Sequence, residues 1–274
     1  MIYKKIEIAV DGYKETADLY TYFLDNSIEM HINRKRPVVV ICPGGGYAMT
    51  SDREAEPIAM QYLVRGYHAV ILRYSVEPAR YPLALLQLAK SVAFLRKNAA
   101  EFHIDTNKIV LQGFSAGGHL AANLATSASD DVLAAHGYDP DAVRPNGLML
   151  AYPVITSGPL AHRGSFDSLL GGRRNDPETL ESVSIEHHID TKTPPVFVWH
   201  TVPDEIVPYE NTLMMIDACK KAGVSVEAHL FPQGGHGLSL GTAETAWQGV
   251  DGIEPSMQIW TQLAVAWMRR TFAR

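Results

Sequence analysis

The pentapeptide Gly113-Phe114-Ser115-Ala116-Gly117 has the pattern G-x-S-x-G. A short β-like run, Ile109-Val110-Leu111, precedes it, and a small-residue helical run from Ala116 to Thr126 follows. Strand, sharp turn and helix make a nucleophile elbow, which holds a serine hydroxyl out at the carboxyl edge of a sheet. Glycines two before and two after the serine leave room for so tight a turn. The helix start behind it offers unpaired N–H groups and partial positive charge to a developing anion.

A serine hydroxyl is a weak nucleophile and needs a base, which histidine supplies near neutral pH. The base needs a carboxylate to fix its tautomer, and the tetrahedral intermediate needs N–H donors. Asp204, in the loop Thr201-Val-Pro-Asp-Glu-Ile-Val-Pro208, is the carboxylate candidate, with Glu205 its rival. Among 11 histidines, His236 stands out, because the loop Gly234-Gly-His-Gly237 lets a ring enter a crowded site. His200 reads as packing or support for the acid, and His119 as local packing. The adjacent pair His187-His188 points apart and makes a poor metal site. Donors for the anion come from the early amides of Pro43-Gly44-Gly45-Gly46-Tyr47 and from Ala116. A phosphate loop is a weak reading of these glycines, since no Lys-Ser/Thr follows and G-x-G-x-x-G does not fit.

Elements must carry these loops to one place. Residues 2–10 and 17–24 alternate as an antiparallel pair of strands. Apolar runs at 37–42 and 67–74 read as buried strands, and 147–152, 195–200 and 224–231 as further strands. Helices are expected over 54–65, 82–98, 208–222 and 255–272. Leu85, Leu88, Val92 and Leu95 share one face of the second, and Ile259, Trp260, Leu263 and Trp267 one face of the last. Arg34-Lys35-Arg36 reads as a solvated turn. From 155 to 195 the chain is polar and weakly periodic, an excursion above the sheet edge and not a second domain. The alternation predicts an α/β fold, a mostly parallel sheet covered by helices on both faces, in one domain over 1–274.

With 274 residues, a formal charge of −6, 46% hydrophobic and 20% charged residues, the chain reads as globular, with no basic stripe for nucleic acid. Two cysteines, Cys42 and Cys219, read as buried reduced thiols. No run is long enough to span a membrane, and Met1-Ile-Tyr-Lys-Lys-Ile-Glu7 has no apolar signal-peptide core, so a cytoplasmic enzyme is expected. The oligomeric state, a homo-oligomer included, stays open.

Oxyanion loop, serine, aspartate, histidine is the order of the α/β-hydrolase fold. The chain resembles the α/β-hydrolase superfamily, and within it small acetyl-esterase and carboxylesterase-like proteins related to the hormone-sensitive-lipase type. Pro43-Gly-Gly-Gly-Tyr47 resembles that family's His-Gly-Gly-Gly loop, with Pro43 in place of the histidine. Gly113 to His119 is similar to its elbow, His200 to Pro208 to its acid loop, and Gly234 to Gly237 to its histidine loop. The resemblance implies an acyl-serine mechanism on a small-molecule ester. Ser115 is nucleophile, His236 base and Asp204 its orienting acid. Gly45, then Gly44, with Ala116, form the oxyanion hole, and no metal or organic cofactor is needed. Small acyl groups are expected, with acetylated sugars as a substrate class, and Tyr47 as a pocket-lining residue. A peptidase is disfavoured because no β-propeller-like repeats precede the domain. A cysteine-nucleophile dienelactone-type hydrolase would need cysteine where Ser115 stands. A catalytically silent binding module is the alternative from another class.

Overall fold

The computed structural model describes residues 1–249 and 251–273. Strands β1 (Ile2–Ile8), β2 (Ala17–Phe23), β3 (Arg36–Cys42), β4 (His68–Arg73), β5 (Ile104–Phe114), β6 (Gly147–Ala151), β7 (Val196–Thr201) and β8 (Val226–Phe231) form an 8-stranded sheet. Their spatial order is β1-β2-β4-β3-β5-β6-β7-β8. β2 pairs antiparallel with β1 and with β4, and every later pairing is parallel. The helices are α1 (Glu56–Leu63), α2 (Leu83–Lys97), α3 (Ser115–Ala125), α4 (Asp130–Ala135), α5 (Pro140–Val143), α6 (Arg163–Leu170), α7 (Pro177–Ser182), α8 (Glu210–Ala222) and α9 (Trp260–Thr271).

The continuous apolar runs follow from burial on both faces. In β3, Val38, Val40 and Cys42 pack in the layer shared with α2, α3 and α8, while Val39 and Ile41 pack with α1 and α9. Each such side chain contributes about 1.5–3 kcal/mol relative to exposure. The four leucine and valine positions expected on one face of α2 are all buried. The fold is the α/β arrangement expected from the sequence.

Several local expectations need correction. The last helix begins at Trp260, not at 255, and Ile259 lies before it, half-exposed. Residues 155–195 are more regular than their composition suggests and contain α6 and α7. Their buried apolar side chains, Phe166, Leu169, Leu170, Val183 and Ile185, join the layer that holds α2 and α3. Arg36 is not in a solvated turn. It opens β3, is 5% exposed, and donates to Asn26 Oδ1 (3.2 Å) and to the Gly66 carbonyl. The short α4 and α5 went unforeseen, since six and four residues carry too little periodicity to be seen. No helix among the described residues is long and apolar enough to cross a membrane.

Candidate active site

Strand β5 ends at Phe114 in extended conformation and α3 starts at once with Ser115. Ser115 has φ of +50°, the left-handed region that ordinary residues avoid at a cost of about 1–3 kcal/mol. The turn is held from both sides. A Cβ at Gly113 would strike the Gly117 carbonyl, and one at Gly117 would strike the carbonyls of Cys42 and Pro43. The start of α3 thereby sits directly against the end of β3.

Asp204 follows β7, and His236 follows β8. The Ser115 hydroxyl lies 2.8 Å from His236 Nε2, and His236 Nδ1 lies 2.6 Å from Asp204 Oδ2. The carboxylate can only accept, so Nδ1 carries the proton and Nε2 presents its lone pair to the serine. The chain of three groups is mostly buried: Ser115 is 7% and Asp204 5% exposed.

Four donors converge on Asp204. Oδ1 accepts from the Ile206 and Val207 amides, each at 2.9 Å. Oδ2 accepts from His236 and from His200 Nε2 at 3.2 Å. Burial pushes the Asp204 carboxyl up. The hydrogen bonds from His200, His236 and Val207, with the nearby imidazole charge, outweigh that and hold it well below the ordinary carboxylate range. His200 is itself fully buried. Its Nε2 is shared with the Val207 carbonyl, and its Nδ1 meets Thr212 Oγ1 of α8 at 2.8 Å. It is a support for the acid, as its sequence context suggested. Glu205 is exposed and takes no part.

The glycine loop after β3 borders Ser115. Gly44 N–H, one of the expected oxyanion donors, is occupied: it donates to Glu54 Oε2 at 2.7 Å. Among the described residues, the N–H groups of Gly45 and Ala116 have no protein acceptor, and these two remain as donors. The place where the resemblance has histidine and this chain has Pro43 is braced differently, by the Tyr74 hydroxyl donating to the Pro43 carbonyl at 2.6 Å. Tyr47 does not line the cleft. It is 3% exposed, and its hydroxyl meets His119 Nδ1 at 2.8 Å while His119 Nε2 donates to the Val183 carbonyl at 2.8 Å. Its aromatic ring packs under the loop instead of facing substrate.

A cleft of about 210 Å³ opens over Ser115 and His236. Gly45, Gly46, Met49, Arg53, His162 and Trp247 are among its walls. His162, the contribution of the 155–195 excursion, is held by Ser165 Oγ at 2.8 Å. Desolvation first, then the charge of His236, lowers its pKa. A larger cavity, about 410 Å³ between residues 186–189 and α8, contains none of the candidate groups. Sequence reasoning missed Arg53, Glu54, His162 and Trp247. They come from a 3-10 turn, an irregular excursion and a late loop, none with a motif of its own. Among the described residues, no group of three or more His, Cys, Asp or Glu is placed to hold a metal ion, His187 and His188 included.

The chain is 37% identical over 251 residues to endo-1,4-beta-xylanase B of Butyrivibrio fibrisolvens, covering 90% of this chain and 38% of that one. It is 28% identical to an acetylxylan esterase of Xylanibacter ruminicola, over 74% of this chain and 41% of that one. The chain thus spans about two fifths of the length of these relatives. A solved structure, the acetyl ester-xyloside bifunctional hydrolase of Caldicellulosiruptor lactoaceticus, superposes with a TM-score of 0.83 at 32% identity, covering 97% of this chain and 96% of that one. The BD-FAE family model matches residues 24–218, a span that includes Ser115 and Asp204 and stops before His236. The chain belongs to the BD-FAE family, an esterase family of the α/β-hydrolase type.

Proposed function

We infer that this chain is a serine hydrolase of short-acyl carboxylic esters, with acetylated sugars as its substrate class. The observation that carries the reading is the continuous hydrogen-bonded chain Ser115–His236–Asp204 beside two unpaired amides. His236 Nε2 takes the Ser115 proton as Oγ attacks the ester carbonyl. The Gly45 and Ala116 amides receive the oxyanion, and Asp204 stabilises the imidazolium. The imidazolium then protonates the leaving alkoxide, which departs as the alcohol and leaves acyl-Ser115. Water, deprotonated by His236, attacks the acyl carbon; the acyl–Oγ bond breaks, His236 returns the proton to Ser115, and the acid is released. The sugar assignment draws on two relatives, an acetylxylan esterase and an acetyl ester-xyloside bifunctional hydrolase. The short-acyl assignment draws on the small volume of the cleft. A cytoplasmic place of action belongs to the same reading, supported by two buried free thiols, Cys42 and Cys219.

The test is labelling by a fluorophosphonate probe together with hydrolysis of an aryl acetate. Wild type is labelled and active. Ser115→Ala loses the label and about 10³–10⁶ of the rate. Folded wild-type protein that is neither labelled nor active would instead be a silent binding module.

A further inference from the structure

Trp247 is the large apolar side chain in the cleft wall that burial would favour most, and it is left open. It is 60% exposed and shares the cleft with Ser115 and His236. Folding ordinarily covers an indole, because its area makes exposure expensive. Scattered exposed apolar residues need no explanation, but one at the mouth of a reactive cleft is a candidate for ligand contact.

Its support is built. The Arg53 guanidinium lies 5.8 Å from the indole centroid. That guanidinium is fixed by two backbone acceptors, the Thr245 carbonyl at 3.1 Å and the Gly237 carbonyl at 2.5 Å. One acceptor is two residues before Trp247 and the other directly follows His236. Arg53 therefore ties the indole to the histidine loop and holds it in register with the base.

Chemistry says which half of the substrate meets this wall. The carbonyl oxygen must face the Gly45 and Ala116 amides. The leaving oxygen must lie within reach of His236 Nε2, which protonates it. The alcohol moiety is thus on the histidine-loop side, where Trp247 and Arg53 stand. A pyranose offers a flat face of C–H groups that packs on an indole, and a rim of hydroxyls that seeks polar atoms. Ser51, also in the cleft wall, brings a hydroxyl within the same cleft for such a rim.

We propose that Trp247, backed by Arg53, is the platform of a leaving-group subsite that stacks the sugar ring of an acetylated pyranoside. The proposal rests on the esterase reading above and adds the residue that selects the alcohol. The experiment compares kcat/KM for an acetylated methyl xyloside, phenyl acetate and ethyl acetate in wild type, Trp247→Ala and Trp247→Phe. Inhibition by unacetylated methyl xyloside is measured alongside with phenyl acetate as substrate. The expected result is a fall of about tenfold in the xyloside-to-ethyl-acetate ratio for Trp247→Ala, carried mainly by KM. Trp247→Phe recovers part of it, and inhibition by methyl xyloside weakens in parallel. An unchanged ratio with unchanged inhibition overturns the proposal. A loss confined to phenyl acetate also overturns it and makes the platform an aryl site. Wild type active on ethyl acetate with no gain on the xyloside sinks the subsite and leaves the esterase standing. Wild type inactive on all three and unlabelled by fluorophosphonate sinks the esterase reading itself.

Discussion

Replacing Glu54 with glutamine tests how the glycine loop beside Ser115 is held. Glu54 is 3% exposed and has no lysine, arginine or histidine within salt-bridge distance among the described residues. Two donors hold it: the Gly44 N–H at 2.7 Å and the Tyr152 hydroxyl at 2.7 Å. Tyr152 in turn accepts from the Ser239 N–H at 2.9 Å, so its hydroxyl proton must point at Glu54. Its ring packs edge-on to His236, with centroids 5.0 Å apart. One carboxylate thus links the glycine loop to the wall of the base. A glutamine of the same shape has one acceptor oxygen and one donor amide, and cannot satisfy both partners. One buried donor is left unmet, at about 1–3 kcal/mol. Alanine leaves two unmet and opens a void, at about 3–5 kcal/mol, within the stability of an ordinary domain. Because Gly44 directly precedes Gly45, loosening it should blur the proposed oxyanion donor at Gly45. Losing such a donor outright costs about 10²–10³ in kcat, and a displaced one about 10–100-fold. The assay is urea denaturation alongside kcat and KM for an aryl acetate. Glu54→Gln should lose stability and kcat together, with KM little moved. Wild-type stability and wild-type kcat in Glu54→Gln would refute this account of the loop.

Other outcomes follow from the same geometry. Tyr47→Phe removes the donor to His119 and should cost about 1–2 kcal/mol of stability with KM held within about threefold, since Tyr47 is outside the cleft. A large KM change would restore it as a substrate contact. His68 and His119 are both pushed down to about 4 by desolvation, from an ordinary 6.5. The unfolded chain takes up their protons near 6.5 and the folded chain only near 4. Stability should therefore fall as pH drops from 6.5 towards 4, and urea midpoints at several pH values would show it. A midpoint that is flat across that window contradicts the burial of these rings.

Much of the candidate site was legible in the chain because a serine elbow constrains local sequence severely. The elbow needs its glycines at 113 and 117 for steric reasons that hold whatever surrounds them. The loops of Asp204 and His236 each follow a strand of the parallel set, the buried β7 and the partly exposed edge strand β8, so their position at the carboxyl ends of the sheet was implied by fold class. Boundaries were less legible. The last helix starts at Trp260 because the preceding residues turn, a choice that periodicity does not register. The excursion supplies His162 although its own helices were invisible, since their few apolar residues depend on a core built by α2 and α3.

Sequence alone determined the fold class, the order of the candidate loops and the choice of Ser115, Asp204 and His236 as candidates, because each is tied to a local pattern within a few residues. Tertiary structure alone decided which amides stay free. Gly44 and Gly45 are equivalent in sequence, and the difference between them is one carboxylate, Glu54, delivered by a separate turn. It also decided that Tyr47 turns inward to His119 and that Trp247 turns outward beside His236. Both are aromatic residues in glycine-containing loops, and no local rule distinguishes them. Their orientation is set by partners about 70 residues away for Tyr47 and about 190 for Trp247's support, contacts that exist only once the sheet has closed.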